Sequence, residues 1–150
     1  MLEVLKTLFR DPEADVEITD DTGREAVAAL LVAAAKADGV YDPAEAEAVT
    51  AALATRYGLD AAAAAALRAT GEEAQAAALD LVQFTRAVKR AVPHAERVAV
   101  IEAIWEVAFA DGDQDHTEAA LVRKLCGLLY VPDREAGLAR QRVKTRLGLA

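Results

Sequence analysis

The chain has 150 residues, a formal net charge of −8, 54% hydrophobic residues inflated by alanine, 5% aromatic residues and a single cysteine. That length suffices for one core burying about 70% of the unfolded surface. The lone Cys126 excludes an intramolecular disulfide, so a reducing, cytoplasmic compartment is expected, and the acidic balance opposes a phosphate backbone, so no nucleic-acid partner is expected.

Leu2, Leu5, Leu8 and Phe9 form a short amphipathic stripe that reads as a packing helix. The stretch around it is short, carries Glu3 and has no small-residue cleavage site, so it is not expected to be a signal peptide. Residues 11–21 hold six acids and no base, the composition of a solvated linker. The expected division is therefore 1–21, a short helix and acidic linker, and 22–150, the helical domain.

Thr22-Gly23-Arg24-Glu25 has capping-box spacing and predicts a helix from there to Asp38, with Gly39 at the left-handed position that ends it. Its apolar run, Ala26 to Ala35, is half of the ~20 residues that a membrane span needs, so no transmembrane segment is expected. Asp42-Pro43-Ala44-Glu45 restarts helix with an N-cap, a first-turn proline and a glutamate at N3; this helix stops at Gly58. Asp60 caps a further helix expected to run to Leu79 through Thr70-Gly71. Leu81, Phe84 and Val88 mark another before Pro93, and His94-Ala95-Glu96-Arg97 opens one that faces Val98, Ile101, Ile104, Trp105 and Ala108 inward. Val122, Leu125, Cys126 and Leu129 belong to the next, and a basic helix runs from about Asp133 to Arg146. Residues 123–150 carry seven Lys/Arg against two Asp/Glu, +5, which leaves −13 for residues 1–122. The basic helix is expected to fold back on this acidic body, anchored by Leu138, Val143 and Leu147. The fold class is all-α: a single-domain bundle of about seven to eight helices.

One stretch occurs twice. Ala37-Asp38-Gly39 with Asp42 and Glu45 returns 73 residues later as Ala110-Asp111-Gly112 with Asp115 and Glu118, and Val49/Val122 and Tyr57/Tyr130 keep the same offset. This predicts an internal two-fold repeat of helical hairpins, packed against each other. The turns are not EF-hands, which need acids at positions 1, 3 and 5, glycine at 6 and glutamate at 12; here, counted from the aspartate, glycine is at 2 and glutamate at 8.

Asp42, Asp115, Glu45 and Glu118 have ordinary work as caps. Asp38 and Asp111 do not, since a carboxylate at the negative end of a helix dipole costs about 0.3–1 kcal/mol. Two accounts stand: these aspartates accept from N–H groups of the following helix, or they join their neighbours around a hard cation such as Ca²⁺ or Mg²⁺. The candidate metal ligands are Asp38, Asp42 and Glu45 in the first turn and Asp111, Asp113, Asp115 and Glu118 in the second. Cys126 reads as a small buried hydrophobe, and His94 and His116 as exposed. No catalytic residue and no cofactor-binding motif is found, so the chain is not expected to be an enzyme.

A helix ending in Ala-Asp-Gly, a glutamate six residues after the glycine, and the same element again after Ile104-Trp105-Glu106-Val107-Ala108-Phe109 resemble the TerB-like tellurite-resistance family. The resemblance covers roughly residues 22–147 and includes Phe84-Thr85 and Arg97. It implies a helical bundle with an acidic, metal-binding face and a cytoplasmic part in tellurite or other stress responses, beside protein partners and without an established catalytic activity. The alternative is a structural helical adaptor whose acidic turns are only caps.

Overall fold

The computed structural model describes residues 2–36, 39–78, 81–110 and 116–149, except the side chains of Leu81 and of residues 116–119. Among them are eight helices and no strand: α1 (Glu3–Arg10), α2 (Asp20–Ala35), α3 (Pro43–Tyr57), α4 (Ala61–Ala77), α5 (Leu81–Ala91), α6 (His94–Ala108), α7 (His116–Leu128) and α8 (Asp133–Arg146). The all-α expectation holds. No described helix is long and apolar enough to cross a membrane.

α2 is the axis of the bundle. Val27, Ala28, Ala29, Leu30, Leu31 and Val32 are each 0% exposed, so the helix is buried all round rather than along one stripe. α1, α3, α4, α5, α6 and α7 all pack on it. An alanine-rich axis allows this, because its neighbours can approach closely on every side. Each leucine fully removed from water contributes about 1.5–3 kcal/mol. α1 is drawn in by the expected stripe, with Leu5 and Leu8 at 0% exposure and Phe9 edge-on to Phe84 at 5.1 Å.

The capping box of α2 lies three residues before the expected one. The Thr22 amide donates to Thr19 Oγ1 and the Thr19 amide to Thr22 Oγ1, both at 3.3 Å. Thr19 has the extended backbone that an N-cap needs, so the helix begins at Asp20 and Glu25 lies inside it, 8% exposed. The segment before it is tied down as well as solvated. Arg90 Nη1 donates to the carbonyls of Pro12 and Ala14 at 2.9 and 2.8 Å, and Val16 and Ile18 pack partly against the core. The helix ends at Ala35, ahead of Asp38, which lies outside the described residues.

The remaining boundaries follow their local chemistry. Asp60 caps α4 by accepting from the Ala63 amide at 2.8 Å, and α4 continues through Thr70-Gly71 to Ala77. Arg97 ties three helix ends together by donating to the carbonyls of Lys89, Val92 and Leu129, which answers groups that a helix leaves unpaired at its C-terminus. α8 folds back on α6, where Arg142 and Arg146 pair with Glu102, and Arg146 also with Glu106. Its apolar seam is Ala139 and Val143, both 0% exposed. Leu138 and Leu147, two of the three expected anchors, are 50% and 47% exposed.

α2 and α3 both pack on α6, a contact that does not by itself establish the expected repeat. The two hairpins end differently. α3 closes with Gly58 at φ 62°, whereas the left-handed residue after α7 is Tyr130 at φ 58°, which aligns with Tyr57 and not with Gly58. The second turn, 111–115, lies outside the described residues.

Candidate metal centre

The first acidic turn is built from both of its flanking helices. Gly39, at φ 84°, supplies the left-handed step that turns the chain out of α2, and its amide donates to the Lys36 carbonyl at 3.0 Å. Asp42 then caps α3 by accepting from the Glu45 amide at 2.9 Å, while Glu45 Oε1 reaches back to the Asp42 amide at 3.5 Å. Pro43 occupies the first helical position. Glu45 is 3% exposed, which places its carboxyl under the turn rather than in open solvent.

One face of α4 fastens this turn, through residues at the i, i+4 and i+7 positions of a helical stripe: Arg68, Glu72 and Gln75. The Tyr41 hydroxyl donates to Glu72 Oε2 at 2.5 Å. Arg68 Nε lies 3.7 Å from that same oxygen, and Arg68 Nη1 donates to Thr50 Oγ1 at 2.8 Å and to the Ala46 carbonyl at 3.3 Å. Lys36 Nζ donates to Gln75 Oε1 at 3.0 Å and lies 5.3 Å from the centre of the Tyr41 ring. The end of α2, the turn and the first half of α3 are thus bound to one stripe of α4. Burial, reinforced by the bond to Glu72, pushes the Tyr41 phenol well above its ordinary value and keeps it a neutral donor.

Asp42 and Glu45 are the expected ligands that the described residues bring together, three positions apart at one helix start. Asp38, Asp111, Asp113 and Asp115 lie outside the described residues, and of Glu118 only its place in α7 is given. Among the described residues no group of three or more His, Cys, Asp and Glu side chains converges in a metal-holding arrangement. The two carboxyls do fit a hard cation in kind. Each is an oxygen donor with lone pairs beyond the one its cap occupies, so capping and coordination are compatible.

The clamp of Lys36, Tyr41, Arg68, Glu72 and Gln75 was not singled out from sequence. A signal was present: Arg68 is the one charged residue in the stretch 61–71, and Glu72 follows it at i+4. The readings of Cys126 and His94 hold, while the side chain of His116 lies outside the described residues. Cys126 is 2% exposed, and burial, helped by Asp133, pushes its thiol up to about 11. His94 is exposed, with Nδ1 3.3 Å from Arg97 Nη1.

The family model described as tellurite resistance protein TerB matches residues 24–141. No curated protein and no solved structure matches the chain.

Proposed function

Since this chain belongs to the TerB tellurite-resistance family, we propose that it is a non-catalytic helical module whose acidic turns take up a divalent cation, Ca²⁺ or Mg²⁺, and which works through protein partners in a cytoplasmic response to tellurite or related stress. The observation that carries this reading is the clamp on the first turn. A loop whose carboxylates served only as caps would need no hydrogen bonds from a third helix, whereas a cation site gains from a backbone held in place before the ion arrives. Asp38, Asp42 and Glu45 would hold the ion, with Asp111, Asp113, Asp115 and Glu118 as the corresponding set in the second turn. Bound, the ion would supply charge neutralisation between carboxylates rather than chemistry on a substrate.

A second reading is favoured by the completed capping box. Asp42 and Glu45 already satisfy each other's amides, so an adaptor whose turns are only caps accounts for both without an ion. Titration with Ca²⁺, Mg²⁺ and Mn²⁺, followed by thermal melting and amide NMR, separates the two. A ligand at 100-fold excess over its dissociation constant stabilises the fold by about 2.7 kcal/mol. Asp38→Ala should abolish the first-turn component. A melting temperature indifferent to all three ions at millimolar concentration would leave the turns as caps.

A further inference from the structure

Tyr57 closes α3, packed partly against the core, and carries two guanidiniums on its ring. The guanidinium carbon of Arg24, on α2, lies 4.8 Å from the ring centre, and that of Arg56, on α3, lies 5.4 Å from it. Both arginines are partly buried. Among the described residues neither forms an ion pair or donates a hydrogen bond, unlike Arg68, Arg90 and Arg97. Arg56 Nε is moreover sealed from solvent with no acceptor.

The ring answers these charges only in part. A π face attracts a cation through its quadrupole, but it accepts nothing from the N–H edge of a stacked guanidinium. Stacking also fixes the plane of each fork, so less freedom is lost when an acceptor arrives. Two like charges held on one ring repel each other, and an anion that touches both relieves that repulsion.

Both arginines line a groove of about 380 Å³ between the start of α2, the end of α3 and the start of α6, with Ile18, Val92 and Pro93 on its apolar side. That is within the size range of small-ligand sites, about 300–1,000 Å³. Asp20 and Glu96 are the acids that line it; both are exposed, and neither pairs with Arg24 or Arg56.

We propose that this groove binds a phosphate monoester, with Arg24 and Arg56 sharing its oxygens and Ile18, Val92 and Pro93 against its organic group. A phosphoryl group presents three acceptor oxygens and a charge of about −1.5 to −2 at pH 7, which suits two guanidiniums that arrive from different helices. A carboxylate brings one charge and two oxygens in one plane, enough for a single fork. The net charge of −8 opposes any anion at a distance, but charges beyond a Debye length of about 8 Å are largely screened, whereas the two arginines act in contact. A free phosphate ester and a phosphorylated serine of a protein share this chemistry.

The test uses the full-length ¹⁵N-labelled protein and ethyl phosphate as probe, with propionate and sodium chloride at matched ionic strength as controls. Amide shifts should appear at Gly23, Arg24, Arg56, Tyr57 and Val92 with ethyl phosphate, and the affinity should fall by about tenfold or more in Arg24→Gln and in Arg56→Gln. Glu96→Gln removes a negative charge from an exposed position and should tighten binding; it serves as the test if an arginine variant does not fold. Propionate binding as tightly as ethyl phosphate, the same shifts with sodium chloride, unchanged affinity in either arginine variant, no gain in Glu96→Gln, or absence of groove shifts in the parent protein would each overturn the proposal. Binding of Nα-acetyl-O-phosphoserine-N-methylamide at least as tight as ethyl phosphate supports it with a phosphorylated side chain as the source; weaker binding supports it with a free ester.

Discussion

Gly71 of α4 rests directly on Ala28 of α2: a Cβ built on Gly71 would lie 2.7 Å from the Ala28 carbonyl carbon and 2.8 Å from the Ala28 Cβ. The contact is backbone against helix, so the bundle's central approach depends on a missing side chain. In an isolated helix, Gly→Ala gains about 1 kcal/mol of propensity. Here the added methyl meets atoms that cannot rotate away, and overpacking of this kind costs about 1–3 kcal/mol or more. Gly71→Ala should therefore lower stability despite its better propensity. Urea unfolding followed by circular dichroism checks this; a higher midpoint at unchanged slope would show that α2 and α4 separate easily.

Tyr41→Phe removes the hydroxyl that fastens the turn to Glu72 and deletes no candidate ligand. It should cost about 1.5–3 kcal/mol, the range for a hydrogen bond to a charged group, and speed amide exchange at residues 39–42. Because the folded phenol ionises above the ordinary value of 10.0, its contribution is fully present below that pH and is lost as pH rises beyond it. Ultraviolet titration should show the same substitution removing an ionisation that lies above 10.0.

Glu25 carries the opposite balance at neutral pH. Burial raises its pKa above 4.5 against the opposing pull of the chain's N-terminal ammonium, with Asp21 and Glu3 adding repulsion. The folded state therefore holds a proton that the unfolded chain releases. The stability tied to that proton is complete below 4.5 and lost as pH rises through the folded value. Glu25→Gln should raise the melting temperature at pH near 7 and lose that advantage near pH 4, where both forms are neutral. Equal gains at the two pH values would remove titration as the cause.

The pairs of Arg142 and Arg146 with Glu102 and Glu106 are half-exposed on the arginine side, and such pairs are worth about 0–1 kcal/mol each. Raising salt should weaken them but leave the seam of Ala139 and Val143 in place. Hydrogen exchange across 136–146 should therefore quicken modestly in high salt and remain slower than in an unfolded peptide. Complete loss of protection with the core intact would mean that charge alone docks α8.

With its thiol pushed up to about 11 and 2% exposed, Cys126 should react with iodoacetamide only as fast as the fold opens. Denaturant should restore ordinary reactivity. Rapid alkylation of the native protein would place a reactive thiol at the surface.

Features that depend on a few neighbouring residues were legible in the chain alone. Asp42 and Glu45 could be read as a completed capping box, Asp60 as a cap, and Gly39 and Gly58 as left-handed stops, because each rests on a hydrogen bond or backbone angle within four residues. The apolar spacing of Leu5, Leu8, Val143 and the Ala26–Ala35 run gave the all-α class for the same reason. Local chemistry misled where two choices competed. Thr22 could begin a box with Glu25 or close one with Thr19, and the second lets α2 begin at Asp20, which buries Glu25. Packing between distant segments is what makes Arg68, Glu72 and Gln75 clamp the first turn, brings Gly71 onto Ala28, and buries Ala139 rather than Leu138 or Leu147. The clamp and the Gly71–Ala28 approach join residues from 18 to 43 positions apart, and the buried face of α8 is chosen by what lies opposite it, so neither partner's own sequence names the other.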